Sequence, residues 1–247
     1  MSSLVFLHGV GGGHHAWDAQ LPFFAANGYG AHAWDQPGYG ESAIVEPYDR
    51  EQVSAALIRL IDKLDDGPVV LVGHSMGGFV AQDAYARSPS HVKGLALCFT
   101  SAAFGGSTSG FANEFVEARI RPLDEGMTMA GIAARLMPTM RGVQSDPGGL
   151  ALAERVMSRV PPETYRKAVR LLTTFDLREH LPRIAVPTLL IAGSDDKVAP
   201  AAVMERMAAK IPGAEMIVLQ GCGHLGPMDQ PNEFNAALLS FLRRHRL

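Results

Sequence analysis

The sequence has only two cysteines among its 247 residues, Cys98 and Cys222. Two thiols are too few for a disulfide framework, and they lack the paired Cys-x-x-Cys spacing of a zinc site. We therefore expect a reduced, cytoplasmic protein without a structural metal. A chain of this length buries enough surface on folding to form a core without such crosslinks.

An excess of charge of either sign is also absent. The chain carries 22 Lys and Arg residues against 25 Asp and Glu residues, a formal net charge of -3. This balance gives no reason to expect nucleic acid or an anionic membrane as a partner. No apolar run reaches the roughly 18 residues of a membrane span, and residues 4–7 are typical of a strand rather than a signal peptide. We expect a small-molecule substrate, and no pattern indicates an oligomeric state.

Six short apolar segments, each closed by a Gly, Asp, Ser or Thr, predict buried strands. They cover residues 4–7, 30–34, 69–72, 94–98, 188–192 and 215–219. Helical patterns lie between strands, at residues 52–64 and 78–87 for example. Strands alternating with helices predict an α/β fold whose parallel sheet of about six strands is covered on both faces. Ligands bind such sheets beyond the carboxyl ends of the strands.

The alternation stops between residues 102 and 185. Four helical patterns follow one another there, at residues 111–121, 127–137, 150–159 and 162–174, after a segment of small residues at 102–110. We expect a core domain of residues 1–101 and 186–247 and a helical cap of residues 102–185. The cap either packs on the sheet edge or forms a lid, and we favour a lid because long insertions in compact domains are usually functional. Its expected apolar underside contains Met127, Met129, Leu136, Met137 and Met140.

A Gly-His-Ser-Met-Gly-Gly run occupies residues 73–78, between a predicted strand and a predicted helix. A strand-to-helix turn this tight needs small neighbours on both sides of the serine, and Gly73 and Gly77 provide them. The positive end of the following helix points to where negative charge develops on a substrate oxygen. A Gly-x-Ser-x-Gly string alone is weak support for a catalytic serine. Its position between a strand and a helix predicts Ser75 as a nucleophile.

A serine hydroxyl is a poor nucleophile unless a base takes its proton and an acidic group orients that base. The loop after residues 188–192 contains Asp195 and Asp196, and the loop after residues 215–219 contains His224. Either aspartate can be the acid, and the other is then a turn-capping carboxylate. A lone loop histidine is usually bonded to backbone. We prefer His224 as the base because the serine, the acid and the histidine each follow a strand, in the expected order.

Attack on a carbonyl creates an oxyanion that needs two hydrogen-bond donors. We predict the backbone N–H groups of Met76 and of Val10, which lies in the glycine-rich loop of residues 9–13. The glycines allow the main chain to approach a substrate closely. This loop has neither a Walker lysine nor an intact Gly-x-Gly-x-x-Gly motif, so nucleotide binding is disfavoured.

Other site residues are predicted with less specific signals. Trp17 is more typical of core packing than of a substrate contact. Arg121 and Arg141 are candidates for binding a substrate carboxylate, although solvent exposure is the commoner role for such residues. Cys222, close to His224, has no base of its own. The candidate substrate contacts are four residues: His8, Trp17, Met137 and Leu225.

Together these segments resemble the α/β-hydrolase superfamily over nearly the whole chain. The similar motifs are His8-Gly9, the Asp-Gln-Pro-Gly-Tyr-Gly-Glu-Ser run at 35–42, residues 73–78, the Val-Pro-Thr-Leu-Leu-Ile-Ala-Gly run at 186–193, and Gly223-His224. In that family the aspartate three residues after the last glycine of such a strand is the triad acid, which implies Asp196. Most members carry an N-terminal strand hairpin that is missing here, as in the plant methylesterase and hydroxynitrile lyase branch.

The resemblance implies an α/β-hydrolase fold and a serine hydrolase that cleaves a small carboxylic ester or lactone through an acyl-enzyme on Ser75. Residues 175–184 are similar to the return from the cap in enol-lactonases, carbon–carbon bond hydrolases and related esterases. One alternative is therefore a carbon–carbon bond hydrolase or lyase that uses the same triad. Another is a small-molecule receptor that turns over slowly. We expect no cofactor and no catalytic metal.

Overall fold

The computed structural model describes residues 2–104 and 110–247, so residues 105–109 of the small-residue segment lie outside the described residues. Six strands form one sheet in the order β2-β1-β3-β4-β5-β6, and every neighbouring pair is parallel. All six strand predictions are confirmed. The strands are β1 Ser3–Leu7, β2 Gly30–Trp34, β3 Val69–His74, β4 Val92–Cys98, β5 Thr188–Gly193 and β6 Glu215–Leu219.

Helices cover both faces of the sheet. In the part of the chain that the structure describes, they are α1 Gln20–Ala26, α2 Arg50–Leu64, α3 Met76–Arg87, α4 Phe111–Asp124, α5 Met129–Met140, α6 Pro147–Ser158, α7 Pro162–Leu172, α8 Ala201–Ala208, α9 Gly226–Asp229 and α10 Pro231–His245. Every helix predicted from the sequence is present. Across residues 2–104 and 110–247, no helix is both long enough and apolar enough to traverse a lipid bilayer.

The burial of each strand explains its sequence. The central strands β1, β3 and β5 are buried on both faces, which is why they are continuous apolar runs rather than alternating ones. The edge strands β2 and β6 are only partly buried. Helix α2 buries Val53, Leu57 and Ile61 along one stripe, and Asp49 caps its first turn by accepting a hydrogen bond from the Gln52 N–H.

Helices α4 to α7 lie between β4 and β5 in the chain, where the sequence predicts a cap. Helix α4 packs against α7, and α5 packs against α6. The two ends of this insertion are joined by an isolated antiparallel bridge between Ala103 and Asp176. The division into a core and a cap at residues 102 and 185 stays a prediction.

Two cap helices continue three residues beyond their predicted ends. The prediction stopped α4 before Pro122 and α5 before Pro138, but the helices extend to Asp124 and Met140. A proline lacks only its own N–H, so in a last turn it removes one hydrogen bond while later N–H groups still bond. In α4, the Glu125 N–H donates to the Arg121 carbonyl oxygen at 2.9 Å.

Candidate active site

Ser75 lies at the carboxyl end of β3, in the turn that leads into α3. Its backbone has φ 53° and ψ -117°, a conformation that residues other than glycine rarely adopt. A side chain on Gly73 would overlap the Gly77 carbonyl oxygen, and one on Gly77 would overlap the Leu7 carbonyl oxygen. The tight turn that the glycine spacing predicts is therefore present, and it places Ser75 just beyond the carboxyl end of β3.

Three side chains from the ends of three strands meet at this point. Ser75 Oγ lies 3.0 Å from His224 Nε2, and His224 Nδ1 lies 2.8 Å from Asp196 Oδ2. Both Asp196 and His224 are only 4% exposed. The structure thus brings together the predicted nucleophile, base and acid in one line of contacts.

The environment of Asp196 keeps its carboxyl group ionised. Its Oδ1 accepts hydrogen bonds from the N–H groups of Val198 at 2.7 Å and Ala199 at 2.9 Å. Burial alone would raise the pKa of Asp196, but the attraction of His224 and these hydrogen bonds outweigh burial and lower it below the usual value. A carboxylate only accepts hydrogen bonds, so His224 Nδ1 carries a hydrogen and Nε2 is free to accept the Ser75 hydroxyl proton.

The neighbouring Asp195 has a different role. Its exposed carboxylate accepts hydrogen bonds from the Val143 N–H and the Ser194 hydroxyl, each at 2.9 Å. It makes no hydrogen bond to His224 among the described residues. The geometry therefore separates the two aspartates: Asp196 contacts the histidine and also caps the turn at Val198 and Ala199, whereas Asp195 binds the backbone N–H of Val143.

The two predicted oxyanion donors lie beside Ser75. A Cβ atom on Gly9 would lie 3.1 Å from Ser75 Cβ, so the glycine-rich loop passes directly against the serine. Val10 follows in that loop, and the Tyr39 hydroxyl donates to its carbonyl oxygen at 2.8 Å. Within the described part of the chain, the N–H groups of Val10 and Met76 donate to no protein acceptor. Both are therefore free to bind a substrate oxygen.

A largely apolar cavity of about 120 Å³ opens above Ser75. Its floor contains the glycine-rich loop, Ser75 and His224, and its roof is built from the cap helices. The predicted contacts Met137 and Leu225 both line it. Other cap residues in its wall are Phe115, Arg119, Leu136, Met140, Met157 and Tyr165.

Two predicted substrate contacts, His8 and Trp17, require correction. Neither lines the cavity, and both are fully buried in the core. The His8 ring donates to the Gly9 carbonyl oxygen at 2.8 Å and accepts from the Gln36 N–H at 3.2 Å, and burial lowers its pKa to about 4. Trp17 packs against Phe6 with ring centroids 5.0 Å apart. His8 thus supports the start of the glycine-rich loop, and Trp17 packs in the core, as its residue type favours.

The expected apolar underside of the cap also needs revision. Met127 is 37% exposed, and Met129 is buried away from the cavity wall. Of the two arginines suggested as carboxylate binders, Arg121 has a side chain that is 65% exposed, and the exposed Arg141 does not line the cavity. The arginine in the cavity wall is Arg119, which the sequence analysis missed.

His74, which precedes Ser75, is a second residue that the sequence analysis did not identify. It lines the cavity, and its ring Nε2 donates to the His224 carbonyl oxygen at 2.7 Å. Burial, together with repulsion from His224, lowers the pKa of His74 to about 3. The ring is therefore neutral near pH 7 and links the turn at Ser75 to the loop that carries His224.

The cap is attached to the loops that carry the acid and the histidine. We call residues 141–146, which join α5 to α6, the connector. A side chain on Gly142 would overlap the Gly221 carbonyl oxygen, so the backbones are in close contact. Five hydrogen bonds join the connector and the end of α5 to these loops and to α9: His224 N–H to Met140 O (2.7 Å), Gln144 N–H to Gly221 O (2.9 Å), Val143 N–H to Asp195 Oδ2 (2.9 Å), Ser145 Oγ to Asp229 Oδ2 (2.6 Å) and Asp146 N–H to Asp229 O (3.2 Å).

The two cysteines are buried free thiols outside the cavity wall. Burial raises the pKa of both the Cys98 and the Cys222 thiol above its ordinary value. Neither residue therefore supplies a thiolate near pH 7, and Ser75 is the candidate nucleophile in contact with His224.

Comparison with known proteins identifies relatives that align with nearly the whole of this chain. A dihydrolipoyllysine-residue acetyltransferase component of the acetoin cleaving system from Pseudomonas putida is 31% identical over 98% of this chain, which spans 64% of that longer protein. The 3-oxoadipate enol-lactonase 2 of Acinetobacter baylyi is 26% identical over 98% of this chain and 89% of its own length. A thermophilic esterase from Thermogutta terrifontis, a solved structure, has a TM-score of 0.89 at 28% identity and covers 99% of this chain and 91% of its own.

The predicted fold class, an α/β-hydrolase fold with a six-stranded parallel sheet, is confirmed by these structural similarities. The family model described as the alpha/beta hydrolase family matches residues 4–237. With a match over most of its length, the chain belongs to the alpha/beta hydrolase family.

Proposed function

We propose that the protein is a serine hydrolase that cleaves small carboxylic esters or lactones through an acyl-enzyme on Ser75. The observation that carries this proposal is the line of contacts from Asp196 through His224 to Ser75, at the floor of a largely apolar cavity. The names of two relatives, an enol-lactonase and an esterase, agree with this class of substrate.

In the acylation step, His224 Nε2 takes the hydroxyl proton of Ser75 as Oγ attacks the substrate carbonyl carbon. The positive charge on the His224 ring is stabilised by the ionised Asp196, which lies 2.8 Å from Nδ1. The tetrahedral intermediate then collapses, and His224 gives its proton to the departing alkoxide. The products of this step are an alcohol and an acyl group bound to Ser75. For a lactone, the alcohol remains part of the acyl group.

The carbonyl oxygen becomes an oxyanion during this attack. The N–H groups of Val10 and Met76, which donate to no acceptor in the described part of the chain, are placed to stabilise it. The N-terminus of α3 points its positive end to the same position. Donors of this kind act most strongly in a site with few competing waters, and the apolar cap above Ser75 provides such a site.

Deacylation repeats the same chemistry with water as the nucleophile. His224 takes a proton from the water as its oxygen attacks the acyl carbon, and then returns a proton to Ser75 Oγ. The acid product leaves, and the free enzyme is regenerated. No cofactor enters either step.

Fluorophosphonate labelling and ester turnover test this proposal together. We expect Ser75→Ala to abolish both while the protein remains folded by circular dichroism. Ser101→Ala, a nearby serine whose hydroxyl donates to the Ala103 carbonyl oxygen, is the matched control and keeps both activities. Labelling that persists in Ser75→Ala would reject the assignment. Turnover of vinylogous diketones or cyanohydrins without turnover of esters would favour the alternative carbon–carbon hydrolase or lyase.

A further inference from the structure

Arg119, on helix α4, brings a positive charge into the wall of a cavity that is otherwise without formal charge. Among the described residues that line the cavity, Arg119 is the one whose side chain is permanently charged, and no Asp or Glu is present. The two lining histidines, His74 and His224, are discussed above. A cation at the edge of an apolar cavity is costly unless something compensates its charge.

In residues 2–104 and 110–247, no carboxylate lies within ion-pair distance of this charge. The structure shows no ion pair between Arg119 and a described Asp or Glu, although its neighbours on the cap do form such pairs. Arg121 lies within 4 Å of Glu117 and Glu125, and Arg166 contacts Asp124. Arg119 thus differs from Arg121 and Arg166 in lining the cavity without an acidic partner among the described residues.

Two aromatic residues of the cavity wall, Phe115 and Tyr165, are neighbours of the Arg119 guanidinium group. The guanidinium carbon lies 5.1 Å from the centre of the Phe115 ring, which also lines the cavity. Tyr165, which is buried, also lines the wall and adjoins Arg119. Burial raises the pKa of the Tyr165 hydroxyl, and the neighbouring Arg119 opposes that increase. A guanidinium and a phenol hydroxyl therefore form one polar corner in an apolar wall.

We infer that the corner formed by Arg119 and Tyr165 binds a carboxylate group of the substrate. This inference depends on the proposed function, since it identifies the substrate as a small ester or lactone that carries a second, ionised carboxyl group. Ser75 and Arg119 line the same cavity, so one molecule that fills it contacts both. The apolar wall between them fits the hydrocarbon part of such a molecule.

A carboxylate fits this corner better than a phosphate. The planar guanidinium pairs with a carboxylate through two parallel hydrogen bonds, and a single negative charge balances the single positive charge. A phosphate monoester carries nearly two negative charges near pH 7 and would leave an uncompensated charge in an apolar cavity.

Pairs of esters that differ only in a carboxylate test the inference. The monomethyl esters of butanedioic, hexanedioic and octanedioic acid are compared with methyl butanoate, hexanoate and octanoate. A further pair, 4-acetoxybenzoate and phenyl acetate, places the carboxylate on the alcohol side. We expect kcat/KM for at least one charged ester to exceed that of its neutral partner by about 10- to 100-fold, the range for a hydrogen bond between charged groups.

Two matched variants identify the residue responsible. Arg119→Gln removes the charge in the cavity, and we expect it to reduce the ratio of charged to neutral kcat/KM toward one. Arg121→Gln removes one charge from the same helix at an exposed position and should leave the ratio unchanged. A wild-type ratio near or below one in every pair, or a high ratio that survives in Arg119→Gln, would overturn the inference. If Arg119→Gln does not fold, the wild-type ratios alone decide.

A binding measurement separates this inference from the proposed function. If the wild-type protein cleaves no ester of either kind, the proposed function fails, and calorimetry with Ser75→Ala then tests the corner alone. We expect monomethyl hexanedioate to bind at least 10-fold more tightly than methyl hexanoate, and Ser75→Ala with Arg119→Gln to lose that difference. Equal binding of the two esters would reject the carboxylate site.

Discussion

The His74 ring donates a 2.7 Å hydrogen bond to the carbonyl oxygen of His224. The residue before the proposed nucleophile is thus bonded to the backbone of the proposed base. Since His74 is neutral and buried, this hydrogen bond requires no charge, and it holds the turn at Ser75 and the loop at His224 in a fixed relation.

Buried neutral histidines predict a loss of stability in mild acid. Burial lowers the pKa of His74 to about 3 and of His8 to about 4, whereas each has an ordinary value of 6.5. Below about pH 6.5 the unfolded chain binds protons that the folded state does not, so the free energy of unfolding is highest above this pH and decreases toward pH 4. Each histidine contributes about 1.4 kcal/mol per pH unit in this window. Urea unfolding at pH 7, 6 and 5 measures how steeply the free energy of unfolding changes with pH.

The contribution of His74 can be separated by substitution. His74→Gln keeps an amide donor for the His224 carbonyl oxygen but does not titrate, so we expect a slope smaller by up to about 1.4 kcal/mol per pH unit. The exposed His15, changed to Gln, serves as the control and should leave the slope unchanged. A His74→Gln protein with the wild-type slope would contradict this explanation.

The adjacent aspartates provide a paired test of the acid. We expect Asp196→Asn to reduce kcat by about 10³- to 10⁴-fold, because an amide no longer stabilises the protonated ring and favours the wrong ring tautomer. Asp195→Asn should change kcat by less than a few-fold, since that carboxylate bonds to Val143 and Ser194 instead. Steady-state kinetics on one ester compares both variants, and equal losses would show that the assignment is wrong.

The turn at Ser75 has no space for a side chain on Gly77. A methyl group there would overlap the Leu7 carbonyl oxygen, so Gly77→Ala must displace the backbone of β1. We expect it to cost at least about 2 kcal/mol of stability, at the upper part of the range for overpacking. At Gly13 an added Cβ has its nearest neighbour 3.5 Å away, so Gly13→Ala should change the unfolding free energy little. Urea unfolding of both variants provides the comparison.

Tyr39 is expected to act on catalysis by positioning the loop of Val10. Its hydroxyl donates to the Val10 carbonyl oxygen at 2.8 Å. Tyr39→Phe should lower kcat with little change in KM, by less than the roughly 10²-fold that the loss of an oxyanion donor costs. Tyr48→Phe removes a comparable hydroxyl that donates to the Pro37 carbonyl oxygen at 3.1 Å and should leave kcat unaltered. A purely structural role would reduce the melting temperature of Tyr39→Phe without this change in kcat.

The connector contains a hydrogen bond whose loss should be measurable. Ser145 Oγ donates to the buried Asp229 at 2.6 Å, and the other Asp229 oxygen has no hydrogen-bond partner among the described residues. Ser145→Ala therefore leaves this carboxyl group without its side-chain donor, and we expect a loss of about 1–3 kcal/mol in unfolding free energy. Ser158→Ala, an exposed hydroxyl on α6, should cost less than about 0.5 kcal/mol.

The line of contacts at Ser75 could be predicted because of the sheet topology. Ser75, Asp196 and His224 each follow a strand, and parallel strands end at the same edge of a sheet, so the order of strands in the sequence brings these residues together. Spacing alone did not decide which of the two adjacent aspartates, Asp195 or Asp196, contacts the histidine. It depends on how the loop turns after β5, and the resemblance to the superfamily supplied that information.

The cap could not be predicted at the same level. Its helices were located from their periodicity, but which side of α4 faces the cavity depends on packing against α7 and α5. Arg119 and Arg121 are about 200° apart around the helix and so lie on nearly opposite sides, and the periodicity alone does not show which of these sides faces the cavity. His8 and Trp17 were expected near the substrate because they flank the glycine-rich loop, whereas both are buried in the core and neither lines the cavity.

The connector divides the cap into two parts with different freedom to change. Helices α5 and α6 are joined through it to the loops of Asp195 and His224, so a shift of this pair disturbs the backbone that holds the histidine. Arg119 and Tyr165 lie on the other pair, α4 and α7. Substitutions on α4 and α7 can therefore alter which molecules the cavity accepts without moving Ser75, Asp196 or His224. Within the same insertion, we therefore expect the sequence of α4 and α7 to tolerate more substitutions than the sequence of α5, α6 and the connector.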